Sequence, residues 1–259
     1  MSRKDHYYNK AKQEGYRSRA AYKLKQLDDL ENVVSRGDTV VDLGAAPGGW
    51  LQVAAEKVGP QGKVIGVDLQ RIKPLPEHDD RVETIRGDMT QERTRDRVVD
   101  AAGGEVDCVV SDMAPNMSGE YSLDQARSLH LARQAFETAL ELLDSDGDFV
   151  VKVFEGPDVD DFRADVEEEF QYVRATSPKA SRQESSEIYL IGKGRLTAPV
   201  QEGDELEVEI VDVGSEGDGI ASVDGFRLFV PATEEGDVVT VRVEDVKPNF
   251  GFAQRLDRS

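Results

Sequence analysis

The spacing of apolar and polar positions changes character along the chain. Residues 1–17 are polar, basic and aromatic (Tyr7, Tyr8, Tyr16) and predict an arm without regular structure at its start. Ser18–Leu30 then sets Ala21, Leu24 and Leu27 at helical spacing, with Ser18 placed to cap the helix. From there β-branched runs alternate with helical stretches. The runs are Thr39–Leu43, Lys63–Asp68, Val82–Arg86, Val106–Ser111 and Asp148–Phe154. The helices expected between and after them are Gly48–Val58, Arg93–Ala102, Leu123–Leu143 and Asp160–Phe170. Two further runs, Tyr172–Thr176 and Ile188–Ile191, have no helix between them, so the second should run antiparallel. This alternation predicts an α/β fold with a seven-stranded, mostly parallel sheet covered by helices on both faces.

The stretch Gly192–Pro199 reads as a linker by composition. Beyond it the period becomes that of short strands: Leu206–Val213, Gly219–Val223, Arg227–Val230, Val238–Val243 and Gly251–Gln254, separated by turn signals such as Asp224-Gly225. Five short strands in so few residues predict a small all-β barrel. The expected organisation is a basic arm over 1–17, an α/β domain over 18–195 and a barrel over 196–259.

The first strand breaks into Gly44-Ala-Ala-Pro-Gly-Gly49 before a helix. Glycine at such a turn lets the backbone approach a ligand closely. The loop lacks the second glycine of G-x-G-x-x-G, which disfavours a nicotinamide dinucleotide. Asp42, at the strand end, suits a cationic ligand or an amino group and points to S-adenosylmethionine (SAM), which carries an ammonium and a sulfonium. Ligands of open α/β sheets bind outside the carboxyl ends of the strands. Four acids fall at that edge: Asp42, Asp68, Asp88 and Asp112. Any one of them suits a solvated loop; four on four consecutive strands suit a site. Asp68 lies 20 residues beyond Gly48, where a carboxylate holds ribose hydroxyls, and Asp88 could accept from an adenine amino group.

Lys152 interrupts the apolar run Phe149-Val-Val-Lys-Val-Phe154. Lysine is rarely buried without a partner or a purpose. Desolvation and a second cation lower its pKa, and a neutral amine is a general base. The plainer alternative is a strand-end lysine reaching for water. If the last strand is antiparallel, Glu187 starts at the same edge, so Lys152, Asp112 and Glu187 should converge.

The charge complicates the picture. The 259 residues hold 32 Lys and Arg against 52 Asp and Glu, a net −20, which argues against a polyanionic partner. Residues 1–25, however, carry eight basic residues and two acids, which is +6, and leave −26 for the rest. An acidic body with only 12 lysines suits molar salt, which screens its self-repulsion, while the basic arm is kept for a polyanion. The single Cys108 sits in an apolar run and reads as a small buried hydrophobe. His6, His78 and His130 are scattered, so no metal site is expected. With no signal-peptide core and no membrane span, a cytoplasmic protein is expected.

Four motifs together resemble one family. They are Val41-Asp-Leu-Gly-Ala-Ala-Pro-Gly-Gly-Trp50, Ser111-Asp-Met-Ala-Pro-Asn-Met-Ser-Gly119, Val150-Val-Lys-Val-Phe154 and Arg17-Ser-Arg-Ala-Ala-Tyr-Lys23. They are similar to the FtsJ/RrmJ family of SAM-dependent ribose 2′-O-methyltransferases, in matching order over residues 1–194. The resemblance implies a Rossmann-like methyltransferase fold, SAM as cofactor and a catalytic Lys-Asp-Lys-Glu set on Lys23, Asp112, Lys152 and Glu187. It puts SAM contacts at Gly48, Trp50, Asp68, Asp88 and Asp112. The motifs are closest to the enzymes that methylate a uridine of large-subunit ribosomal RNA, and the composition adds a haloarchaeal character. The implied partner is that RNA within the ribosomal subunit, with no DNA, no membrane and a monomeric enzyme. Relatives that act on the tRNA anticodon loop give one alternative; a non-catalytic RNA-binding protein gives another, which an intact four-residue set argues against. Residues 200–256 resemble a TRAM domain, an RNA-binding barrel, on Gly214–Ala221, Gly225–Pro231 and Lys247–Ala253. Its own charge over 197–259, five basic residues against 15 acids, leaves the source of any RNA affinity open.

Overall fold

The computed structural model describes residues 6–78, 80–104, 106–181, 186–214, 217–247 and 250–256. Arg3 and Lys4 of the basic arm, and Ser215, Glu216, Pro248 and Asn249 of the barrel motifs, lie outside the described residues. The chain divides into two compact units, Met1–Arg195 and Leu196–Ser259.

The first unit contains α1 (His6–Gln13), α2 (Ala21–Glu31), β1 (Thr39–Leu43), α3 (Gly49–Val58), β2 (Lys63–Asp68), β3 (Val82–Arg86), α4 (Glu92–Ala102) and β4 (Val106–Ser111). It continues with α5 (Tyr121–Leu142), β5 (Leu143–Phe154), α6 (Val159–Glu169), β6 (Phe170–Thr176) and β7 (Glu187–Arg195). The sheet order is β3-β2-β1-β4-β5-β7-β6. All neighbours from β3 to β5 pair parallel, and β7 runs antiparallel to both β5 and β6. The near-continuous apolar runs of β1, β4 and β5 are the central strands, covered on both sides, as such runs require.

Strand alternation sorts the core into two layers. Val41, Leu43, Val109, Phe149, Val151, Val153 and Leu190 face α4, α5 and α6. Val40, Cys108, Val110, Val150, Tyr189 and Ile191 face α2 and α3, meeting Leu24, Leu27, Trp50 and Leu51. The period of two then decides where the polar strand-end residues go. Asp42, Asp68, Asp112, Lys152 and Glu187 share the parity of the second set and fall on the α2/α3 side of the carboxyl edge.

Three local expectations are corrected. Ser18 does not cap α2: the helix starts at Ala21 after Ala20, without a side-chain cap, and the Ser18 carbonyl accepts from Ala21 N–H in a preceding turn. Gly192–Arg195 belongs to β7 rather than to a linker. Gly192 pairs with Phe149 and Val173, and a Cβ there would meet the Phe170 ring at 2.8 Å, so this glycine serves close packing rather than a turn. Within residues 1–17, His6–Gln13 is helical, with Ala11 buried against Tyr22 and Ala180.

The second unit is a closed barrel of β8 (Glu205–Val213), β9 (Gly219–Val223), β10 (Phe226–Val230), β11 (Val238–Val246) and β12 (Phe250–Arg255), in the order β10-β12-β11-β8-β9. Its interior is filled by Val208, Ile210, Leu228, Val230, Val241 and Ala253, among others. No helix among the described residues is long and apolar enough to cross a membrane.

Candidate active site

Three adjacent strands and one helix bring four charged side chains to one point. Asp112 follows the last residue of β4, Lys152 lies near the end of β5, Glu187 opens the antiparallel β7, and Lys23 sits in the first turn of α2. Register fixes the approach, since Lys152 pairs with Tyr189 and Phe154 with Glu187 across β5 and β7. Lys152 Nζ donates to Asp112 Oδ1 at 2.8 Å and to the Asp112 carbonyl at 2.5 Å. Lys23 Nζ lies 2.9 Å from Glu187 Oε1 and 3.5 Å from the same Asp112 oxygen. Lys23, Lys152 and Glu187 are 7%, 5% and 9% exposed, so this cluster is not a solvated surface network. The convergence expected for Lys152, Asp112 and Glu187 is observed, with Lys23 joined to it.

Burial decides the electrostatics. It pushes the Lys152 pKa below the ordinary lysine value; Asp112 opposes that shift and Lys23 adds to it. Burial also raises the carboxyl of Asp112, but Lys152, Lys23 and the hydrogen bonds from Lys152 and Tyr189 outweigh it and hold Asp112 below its usual range. Asp112 is therefore a fixed anion beside an amine that loses its proton more readily than a free lysine.

Sequence reasoning missed Tyr189. Its hydroxyl donates to Asp112 Oδ1 at 2.6 Å, and its ring lies 6.0 Å from Trp50 and 5.5 Å from Lys23 Nζ. Burial, then the nearby Asp112, drive its hydroxyl pKa far up, which keeps it a donor. The available signal was parity, because Tyr189 stands two residues from Glu187 on the same strand face.

Next to the cluster, the turn from β1 into α3 forms a cradle. Gly44 has φ +77°, and a Cβ there would meet Met113 Cγ at 2.3 Å. Gly48 has φ +106°, and a Cβ there would meet Arg17 Nη1 at 2.8 Å. Arg17 holds two walls together: Nη1 donates to Pro47 O (3.1 Å) and Lys73 O (2.6 Å), and Nη2 to Pro74 O. One guanidinium thus ties the glycine-rich loop to the loop after β2. Asp68 ties them again, since its Oδ2 accepts from Ala46 N–H at 2.9 Å and its Oδ1 from Gln70 N–H at 2.7 Å. Each of those oxygens keeps a second lone pair. Asp88 Oδ1 accepts from Thr90 N–H and Oγ1 (3.0 and 2.8 Å). Trp50 turns its indole into the core, where Nε1 donates to Ala20 O at 2.8 Å. What Trp50 offers the cradle is its main-chain N–H in the first turn of α3, one of those a helix leaves without an intrahelical partner.

Asp42 is 1% exposed, and its Oδ2 has no hydrogen-bond partner. Burial, then Asp112 and Asp68, push its carboxyl well above the ordinary range. An unpartnered buried carboxylate oxygen is costly and fits a cationic donor. These residues fit an amino acid ligand: an ammonium for Asp42 and a carboxylate for the N-terminus of α3.

Comparison with known proteins identifies a family for each unit. The sequence profile described as FtsJ-like methyltransferase matches residues 16–195, and that of the TRAM domain matches residues 199–256. The ribosomal RNA large subunit methyltransferase E of Natronomonas pharaonis is 65% identical over 99% of this chain and 100% of its own length. The protein of that name from Methanosarcina acetivorans is 50% identical over 99% and 94%. A Plasmodium falciparum crystal structure described as a ribosomal RNA methyltransferase superposes with a TM-score of 0.62 at 27% identity, covering 71% of this chain and all of that one.

Proposed function

The chain belongs to the FtsJ-like methyltransferase family, and from that premise we propose that it transfers a methyl group from S-adenosylmethionine to the 2′-hydroxyl of a uridine ribose in large-subunit ribosomal RNA. The observation that carries this reading is Lys152, buried in an apolar strand and held on Asp112 at 2.8 Å, with its pKa lowered. The named relatives supply the substrate class: both are large subunit ribosomal RNA methyltransferases that match this chain nearly end to end.

The cofactor, when bound, supplies a methyl group activated on a sulfonium. Asp42 takes its ammonium, the main-chain donors of Gly48–Trp50 take its carboxylate, and Asp68 and Asp88 take the ribose hydroxyls and the adenine amino group. A ribose hydroxyl is a poor nucleophile until its proton is drawn off. Lys152, in its neutral form, accepts that proton at Nζ. Asp112 fixes the direction of the amine and favours the ammonium once formed, and Tyr189 fixes Asp112. Lys23, partnered by Glu187, keeps Lys152 from being protonated too early and orients the RNA. The two lysines and two acids titrate as a coupled set. Much of the acceleration would come from these residues positioning the ribose hydroxyl toward the methyl group that the bound cofactor would supply.

The test is methyl transfer from labelled cofactor in molar potassium chloride, offering total tRNA, free large-subunit RNA and isolated large subunits side by side, with the modified nucleotide mapped. Label on a uridine ribose of large-subunit RNA is expected. Label confined to tRNA, or to a base, overturns the proposal.

A further inference from the structure

The barrel poses its own problem. It is acidic, with 15 acids against five basic residues over 197–259, and an acidic surface repels RNA. The acids are unevenly placed. β8 carries Glu205, Glu207, Glu209 and Asp212, and β11 carries Glu244 and Asp245, whereas the neighbouring β9, β10 and β12 carry none. On that acid-free face the alternation is unusual. Phe226, Leu228 and Val230 of β10 point into the barrel, as do Gly251 and Ala253 of β12. The outward positions are therefore Arg227 and Phe229 on β10, and Phe250, Phe252 and Gln254 on β12, so three of the five are phenylalanines where water-facing strands usually carry polar residues.

Parallel register sets Arg227 beside Phe250 and Phe229 beside Phe252. The three rings touch one another, with centroids 5.5–5.9 Å apart. Phe252 is 41% exposed. Asp245, the acid that pairs with Phe252 from β11, is ion-paired with Lys247 at 3.0 Å. The barrel interior is already filled without these rings, so they are not needed as core.

We propose that Phe229, Phe250 and Phe252 form a platform on which unpaired RNA bases stack, with Arg227 at its edge facing the RNA backbone. This rests on the reading of the chain as an RNA-modifying enzyme and says how an acidic barrel holds its substrate. Stacking on aromatic rings is tolerant of sequence and releases no counterions, so it survives salt that abolishes phosphate contacts. An acid-free aromatic face suits single-stranded nucleotides, whose rings are open on both sides; a duplex hides them.

The experiment uses the full chain and measures fluorescence anisotropy of a labelled 12-nucleotide oligouridylate and of a duplex RNA of equal length, in 1 M and 3 M potassium chloride. Phe252→Ala and Phe229→Ala should each weaken single-strand binding by about tenfold, by the same ratio at both salt concentrations, and leave duplex binding unchanged. Phe252→Trp should keep wild-type affinity, which a variant that merely disturbed the fold would not. In methyl transfer to large-subunit RNA the alanine variants should raise KM without lowering kcat. Losses under twofold, or equal losses on single strand and duplex, would overturn the platform. The reading of the enzyme fails separately, if the wild type methylates no RNA; the platform stands in that case if the rings still govern oligouridylate binding.

Discussion

Lys23→Gln isolates the electrostatic part of the mechanism. Lys23 and Lys152 both reach Asp112 Oδ1, at 3.5 and 2.8 Å, so their nitrogens are no more than about 6.3 Å apart. At an effective dielectric of about 20, two unit charges at that distance repel by about 2.6 kcal/mol, equivalent to about two pKa units. Removing one charge should therefore raise the Lys152 pKa. Glu187, which loses its cationic partner, acts in the same direction on its other neighbour. If neutral Lys152 is the base, the rate rises with pH through that pKa, and Lys23→Gln moves the rising limb about one to two pH units upward. Lys23→Arg keeps the charge and should leave the limb near its wild-type position. The assay is single-turnover methyl transfer at saturating cofactor and RNA, because multiple turnovers can report product release instead. A limb that stays in place, or moves to lower pH, would refute the assignment of Lys23 as the group that depresses Lys152.

Further expectations concern the cradle. Arg17→Gln breaks the guanidinium bridge between the two loop walls and should weaken cofactor binding about tenfold, roughly one charge-assisted hydrogen bond for a partly exposed group, as read by equilibrium dialysis without RNA; unchanged affinity would remove Arg17 from the cradle. Asp42→Asn should weaken the cofactor too, by removing the anion matched to its ammonium, and full affinity in that variant would contradict the match. The same variant has a pH signature: the folded-state pKa of Asp42 is raised, so its stabilising contribution is complete below about pH 3.9 and is lost as pH rises toward the folded value. Urea unfolding should then show the stability of Asp42→Asn gaining on wild type as pH rises through the acid range, and parallel curves would refute the shift.

Much of this was legible because strands and chemistry use different residues. The β-branched runs of β1, β2, β3 and β4 stand at the bounds read from sequence, and Lys152 stood out because its strand is otherwise apolar. Where one residue type serves two purposes, the sequence misled. Gly192 and Gly194 look like a linker, yet both lie within β7, and position 192 is glycine because the Phe170 ring leaves no room for a side chain. Ser18 has the chemistry of a cap, but the chain makes one more turn before α2 begins, and Ser18 packs against Gly49 instead, 2.4 Å from where a Cβ would stand. α1 was hidden because its eight residues bury only Ala11 and carry no apolar stripe. Tyr189 and Arg17 were invisible as site residues for a different reason: each acts on carbonyl or carboxylate oxygens that only the folded chain brings within reach, Asp112 for one and Pro47, Lys73 and Pro74 for the other.

In the proposed mechanism one amine, Lys152 Nζ on Asp112, draws the proton from the RNA hydroxyl. Lys152→Met keeps the length of the side chain and removes the base. Single-turnover transfer to large-subunit RNA and calorimetric cofactor binding should be measured on the same preparation. Transfer should fall about a thousandfold, within the range for removal of a general base, with cofactor affinity changed less than about threefold. Transfer within tenfold of wild type, or loss of cofactor binding in step with transfer, would contradict the mechanism.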